Sequence, residues 1–245
     1  MVRLFAKEED KNGAGFTIAG SDVNHVRNVL RMKAGDAVQV STESDRVYNC
    51  EIAGFQDGML QLAILSEEEA ATELKAEIRL YQGIPKGDKF ETILQKAVEL
   101  GADAVIPVEM KRCVVKVDPK KAEARLKRYA AISEAAAKQS KRNRIPEVGP
   151  YMTMREAIDS CRTFDHIFIP YENAVNMEET KKLFAAVRPG ERIAVFIGPE
   201  GGFEEAEVQA VIEAGGHAVT LGKRILRTET AGMTVLSILM FGLEQ

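Results

Sequence analysis

The sequence predicts an α/β protein of two domains: a small β-rich domain, then a larger one built on a parallel sheet covered by helices. Three observations predict it. Residues 1–70 alternate short apolar runs with turn signals, and from Ile78 onward strand-like and helix-like segments alternate instead. The length, 245 residues, corresponds to one or two domains at roughly 100–200 residues each. The expected division is 1–72 and 73–245. With 45% hydrophobic and 29% charged residues the composition is that of a globular chain, which excludes disorder and collagen-like repeats. A chain this long buries a core without needing a disulfide or metal staple.

In the first domain the runs VRLFA, GFTIAG, AVQVST, RVYNCEIAGF and GMLQLAIL read as strands of a small barrel or sandwich, with Gly35-Asp36 and Asp57-Gly58 as turns. One helix is expected from Asp22 to Met32, with Ser21 as N-cap and Val26, Val29 and Leu30 on one stripe. The polar, acidic segment SEEEAATELKAE reads as the linker.

In the second domain RLYQGI is a strand. Asp88 and Glu91 then form a capping-box-like pair ahead of a helix whose Phe90, Ile93, Leu94, Ala97 and Val98 share one face and which stops at Gly101. DAVIPV is the next strand, and Asp118-Pro119 opens a helix reaching about Ser140. HIFIPY, RIAVFIG and HAVTLG are strands; NMEETKKLFAAV (capped by Asn176), EEAEVQAVIEAG and TETAGMTVLSILMFGL are helices. Such alternation places ligands at the carboxyl edge of the sheet.

Several classes of function are excluded. The start MVRLFAKEED has no signal-peptide apolar core, and the longest apolar run, Thr234 to Leu243, is about half a bilayer span. A soluble, cytoplasmic protein with no membrane partner is expected. Cys50, Cys113 and Cys161 form no CxxC pair and, with three scattered histidines, offer no metal site. No serine stands in GxSxG, and His25, His166 and His217 sit in helical or strand contexts that suit structural roles.

Charge is uneven. The net charge is −4, yet Lys111 to Arg144 holds twelve basic residues against three acids, a local balance of +9. A solvated helix face is the plainer explanation of a charge run. The mixture in KQSKRNR, however, supplies the donor types that contact phosphate and sugar, which favours RNA or DNA.

Two loops carry the candidate chemistry. Ile197-Gly-Pro-Glu-Gly-Gly-Phe203 follows a strand and precedes a helix. Its glycines allow close backbone approach to a ligand, but it matches neither GxGxxG nor a P-loop. Glu200 repels anions and suits a cationic or amine-bearing ligand. Leu221-Gly-Lys-Arg-Ile-Leu-Arg-Thr-Glu-Thr-Ala231 again follows a strand, with Ile225 and Leu226 as apolar residues in a loop, flanked by Arg224, Arg227 and Glu229. Apolar residues at a strand's carboxyl end either plug the core or line a flat ligand. Helix capping is the plainer role for Thr228 and Glu229. Together the two loops form a candidate crevice.

These two motifs, with KFETILQKAVELGA, EAAAKQSKRNRIPEV and the N-terminal His25-Val-Arg-Asn-Val-Leu-Arg31 followed by Gly35-Asp36, resemble the SPOUT methyltransferases, and within them the ribosomal RNA small subunit methyltransferase E family. The resemblance covers essentially the whole chain. Only STESDRVYN departs from it, where the family has a glycine-containing hairpin. It implies a PUA-like β-barrel RNA-binding domain followed by a SPOUT domain with a deep trefoil knot. It also implies a homodimer with sites completed across the interface, no metal, and transfer of a methyl group from S-adenosylmethionine to N3 of one uridine in the decoding region of 16S rRNA, on the small ribosomal subunit. By motif match Ile197, Gly198, Glu200, Gly201, Gly202, Leu221, Gly222, Ile225 and Leu226 would wrap the cofactor.

Uridine N3 carries a proton, so its methylation requires a base or an oxyanion stabiliser. Arg227 or Arg112 is expected to stabilise charge on the uracil oxygens, with Glu229 as proton acceptor or orienter. Arg31, Gln139, Arg142 and Arg144 are the expected RNA-grip residues. Two alternatives remain on the sequence alone: a SPOUT enzyme acting on a tRNA base or a ribose 2′-oxygen, and a non-catalytic RNA-binding assembly factor.

Overall fold

The computed structural model describes residues 1–42, 44 and 46–244, so Glu43 and Asp45 of the STESDRVYN segment lie outside the described residues. The chain divides into two compact units: Met1–Glu73 with Ala137–Ile145, and Leu74–Ala136 with Pro146–Gln245.

The first unit contains β1 (Val2–Phe5), β2 (Lys11–Asn12), β3 (Gly15–Ile18), α1 (Ser21–Asn24), β4 (Ala37–Ser41), β5 (Arg46–Gln56) and β6 (Met59–Glu69). Its sheet runs β1-β4-β5-β6-β3-β2, antiparallel except where β1 pairs β4. Alternation delivers Leu4, Phe16, Ile18, Val38, Val40, Ile52, Leu60 and Leu62 to one core. Each such side chain contributes about 1.5–3 kcal/mol on burial.

The helix in this unit differs from expectation. It starts at Ser21, with Gly20 as N-cap at φ 90°, and after Asn24 it widens into a π turn, His25–Val29. The Leu30 N–H therefore reaches the His25 carbonyl at 2.9 Å, and Arg31 at φ 55° ends the winding before Met32. That wider winding breaks the 3.6-residue register. Val26 is buried, but Val29 and Leu30 are 61% and 39% exposed. The expected linker also shifts, because β6 runs through Glu69, pairing Arg46–Asn49 with Ser66–Glu69. Ladder hydrogen bonds do not require apolar side chains.

The returning segment 137–145, assigned by its sequence to the second domain, is bound into the first unit by buried polar groups. Arg3, 7% exposed, donates to the Lys141 carbonyl (2.8 Å), to Asn143 Oδ1 and to Gln39 Oε1 (2.9 Å). Glu73 accepts from the Arg142 guanidinium (Nε at 3.0 Å) and from the Asn143 N–H at 2.7 Å.

The second unit contains β7 (Glu77–Gly83), α2 (Lys89–Glu99), β8 (Ala104–Glu109), α3 (Pro119–Ser140, its last residues from Ala137 belonging to the first unit), β9 (Glu147–Val148), β10 (Met152–Thr153), α4 (Met154–Ser160), β11 (His166–Pro170), α5 (Met177–Ala186), β12 (Arg192–Ile197), α6 (Glu205–Glu213), β13 (His217–Val219) and α7 (Thr228–Leu243). All sheet pairings are parallel, in the order β10-β8-β7-β12-β11-β13, with β9 also on β8. A parallel sheet needs cover on both faces. On one, Tyr81 stacks on Phe196 (4.7 Å between ring centres) among Ile106, Ile158, Val208 and Val211. On the other, α2 packs against α7, and the expected face Phe90, Ile93, Leu94, Ala97 and Val98 is buried, with Phe90 against Tyr129 of α3.

Short α4, with a Thr153/Glu156 capping box, was not anticipated. At α2 the expected capping box is absent: Asp88 is the N-cap without a side-chain hydrogen bond, and Glu91 instead accepts from Arg128 at 2.9 Å. Asn176 does cap α5, accepting from the Glu179 N–H at 3.0 Å. Among the described residues no helix is long and apolar enough to cross a membrane.

Candidate active site

Because the strands of the second unit are parallel, the segments following β7, β8, β12 and β13 emerge at one carboxyl edge. The IGPEGGF loop after β12 is compact. The Gly202 N–H bonds the Pro199 carbonyl at 2.9 Å, and Gly202 sits at φ 70°, a conformation that favours glycine. The loop also presses against the end of β7, where a Cβ on Gly83 would stand 2.6 Å from the Pro199 nitrogen. On its other side a Cβ on Gly201 would meet the Arg112 Cβ at 3.0 Å.

Three side chains fasten this loop. Thr228 Oγ1, at the start of α7, donates to the Gly198 carbonyl (2.6 Å) and accepts from Gln82 Nε2 (2.8 Å). Thr228 therefore ties the IGPEGGF loop to the LGKRILRTETA segment rather than capping its own helix, whose N-cap is Arg227. Arg112 donates from Nε to Glu204 (2.9 Å) and from Nη1 to the Gly201 carbonyl (3.1 Å). Its hydrogen bond and charge contact with Glu204 push the guanidinium pKa further up. Lys89 Nζ binds Glu200 Oε1 at 2.9 Å, and the Lys86 N–H binds the same oxygen at 3.1 Å. Partial burial opposes ionisation of Glu200, but these donors and its own backbone N–H outweigh it and hold the carboxyl below its ordinary range.

The sequence-predicted residues are brought together in this one unit. Ile197 is buried beneath the loop, Gly198, Gly201 and Gly202 form it, and Leu221, Gly222 (φ 105°), Ile225 and Leu226 make the segment after β13. Ile225 is 80% exposed. Arg227 is exposed, and its guanidinium has no polar partner among the described residues. Glu229 lies in the first turn of α7, with Oε2 buried, accepting no hydrogen bond, and 3.8 Å from Lys89 Nζ.

Sequence reasoning passed over Gln82 and Lys89, and gave Thr228 a helix-capping role in place of the loop contact it makes. Gln82 had a signal, a neutral amide near the carboxyl end of a central strand; it is fully buried and its Oε1 accepts no hydrogen bond. Lys89 had another, a cation in a first helical turn, where the helix dipole disfavours it.

All four expected RNA-grip residues fall in the first unit. Arg31, Gln139 and Arg144 are exposed. Arg142 is corrected: it is 4% exposed and directs its guanidinium to Glu73, so it holds the unit together and offers no face to RNA. Among the described residues no group of three His, Cys, Asp or Glu is placed to hold a metal.

The RNA methyltransferase domain family matches residues 72–240, and the RNA methyltransferase PUA domain family matches 18–64. The fold and site thus define an RNA methyltransferase of the SPOUT type with a PUA-like N-terminal domain. Ribosomal RNA small subunit methyltransferase E of Bacillus subtilis is 34% identical over 250 aligned residues, covering 100% of this chain and 98% of that protein. The crystal structure of ribosomal RNA small subunit methyltransferase E from Neisseria gonorrhoeae, bound to S-adenosyl methionine, is 33% identical with TM-score 0.82, covering 98% and 97% of the two chains. A putative methyltransferase from Legionella pneumophila, in complex with the same cofactor, is 27% identical with TM-score 0.84, covering 97% and 96%. The chain belongs to the ribosomal RNA small subunit methyltransferase E family.

Proposed function

We propose that this protein uses S-adenosylmethionine to methylate N3 of a specific uridine in the decoding region of 16S rRNA, on the assembled small subunit in the cytoplasm. The observation that carries the proposal is the joining of two glycine-bearing loops at one sheet edge, with Arg227, exposed and without a polar partner among the described residues, at the N-cap next to the joining Thr228.

The residues fit the cofactor. Gly198, Glu200, Gly201 and Gly202 offer a backbone wall over Ile197, while Leu221, Gly222, Ile225 and Leu226 offer apolar surface for a flat ring. When bound, adenosylmethionine supplies an electrophilic methyl group on a sulfonium. Arg227 stabilises the negative charge that spreads onto the uracil oxygens as N3 loses its proton, and Glu229 accepts or orients that proton. Arg112, engaged by Glu204 and Gly201, acts by holding the loop. Positioning controls the transfer, and no metal takes part. Arg31, Gln139 and Arg144 grip RNA backbone.

The trefoil knot and a homodimer belong to the same reading. The support for a dimer is the outer face of α7, where Thr230, Met233, Thr234, Ser237, Ile238 and Phe241 line a shallow groove and Phe241 is 84% exposed. Burying that face against a second copy removes apolar surface next to Arg227 and Glu229.

Transfer of labelled methyl from adenosylmethionine to small subunits lacking base methylation, alongside tRNA and naked rRNA, tests the function. Label recovered as 3-methyluridine from subunits alone is the expected result. Label on tRNA or on ribose 2′-oxygen overturns the substrate, and absence of both transfer and cofactor binding overturns the enzyme.

A further inference from the structure

Lys89 is the first residue of α2, where a cation opposes the helix dipole, yet its ammonium lies between two carboxylates from different motifs. Glu200 of the IGPEGGF loop is 2.9 Å from Nζ and Glu229 of α7 is 3.8 Å from it. The three side chains are 38%, 28% and 20% exposed, so solvent screens them only in part. The Glu229 oxygen nearest Lys89 accepts no hydrogen bond, so its relation to Lys89 is one of charge. Two carboxylates and one ammonium leave this cluster one net negative charge. It spans both segments that the proposed function assigns to the cofactor.

We propose that Lys89 is a specificity-determining residue: it offsets one carboxylate so that the site carries the single negative charge that matches a sulfonium. The inference rests on the functional reading above. Adenosylmethionine and its demethylated product, adenosylhomocysteine, share the adenosine, the amino group and the carboxylate; they differ in the methyl group and the charge on sulfur. Lys89 therefore governs how strongly the protein prefers the methyl donor over its product. With both carboxylates and no ammonium the site holds a sulfonium more tightly relative to a neutral thioether. Product is then distinguished at the cost of a more strongly retained donor.

Calorimetric titration of the full-length protein with each ligand tests this. In Lys89→Met the ratio of Kd for adenosylhomocysteine to Kd for adenosylmethionine rises about threefold to tenfold, the size of one nearby charge in a partly screened site. Lys89→Arg restores the wild-type ratio. A merely structural role for Lys89 weakens both ligands together and leaves the ratio unchanged, and that result overturns the proposal. Should Lys89→Met fail to fold, Lys89→Gln removes the same charge with a polar side chain and is read identically. Wild-type protein that binds neither ligand overturns the functional reading itself, and with it this inference. Binding of both by the wild type, with an unmoved ratio in the variant, overturns the Lys89 assignment alone.

Discussion

In the first unit Arg3 and Arg142 are 7% and 4% exposed, and their guanidinium groups are spent on Lys141, Asn143, Gln39 and Glu73. In the second unit the sheet interior is apolar apart from neutral Gln82, and the charged groups Lys89, Arg112, Glu200, Arg227 and Glu229 stand at the loops of one edge. The contrast separates two uses of a residue type within a single basic run. Arg112 and Arg142 both belong to the stretch from Lys111 to Arg144, yet one pins a loop beside the candidate site and the other is an internal fastener. Charge density marked the stretch; burial decides what each member does.

The contrast breaks most visibly at Arg142. Arg142→Ala leaves Glu73, 13% exposed in the pair, with backbone N–H donors but without its charged partner, and is expected to cost about 3–5 kcal/mol of stability in denaturant titration. RNA binding by the surviving folded protein keeps its salt slope, whereas Arg31→Ala lowers it. An unchanged midpoint with a reduced slope in Arg142→Ala would return that residue to the RNA-grip set.

At the sheet edge the next effect is steric. Gly83→Ala places a Cβ 2.6 Å from the Pro199 nitrogen, which is backbone and cannot swing aside. Displacement of the IGPEGGF loop is expected to cost about 1–3 kcal/mol, seen as a lowered melting midpoint and weakened adenosylmethionine binding. Gly201→Ala, facing the Arg112 side chain at 3.0 Å, is the milder control.

The smallest effect is a pH dependence. The Glu200 carboxyl is held below its ordinary value of 4.5, so its stabilising contribution is complete above that value and is lost as pH falls through the lower folded one. Glu200→Gln is therefore expected to flatten the acid side of the stability profile in that window and leave the neutral range parallel. An acid limb as steep as the wild type's would assign the dependence to other carboxylates.

Much of this was legible in the sequence because it rests on local periodicity. The α2 face Phe90–Val98 and the parallel strands RIAVFI and AVIPVE follow from spacing and β-branching. The π turn at His25–Val29 was not legible, since an extra residue per turn leaves the composition unaltered while turning Val29 and Leu30 to solvent. Nor was the return of 137–145 to the first unit, which depends on Glu73 meeting Arg142 across 69 residues of chain. The site divides similarly. Its glycine loops and Arg227 show in the sequence as turn chemistry and charge. The fastening roles of Gln82, Thr228 and Lys89 do not, although each residue stands out locally, because each acts on a motif distant along the chain.

The most direct test of the account is single-turnover methyl transfer to unmethylated small subunits by Arg227→Ala, with saturating adenosylmethionine, alongside its cofactor Kd. The account predicts a rate about a hundredfold to a thousandfold lower, the loss typical of one oxyanion-stabilising donor, with Kd within about twofold of wild type. An unchanged rate, or a loss matched by an equal rise in Kd, would contradict the assignment of Arg227 to the reacting uracil.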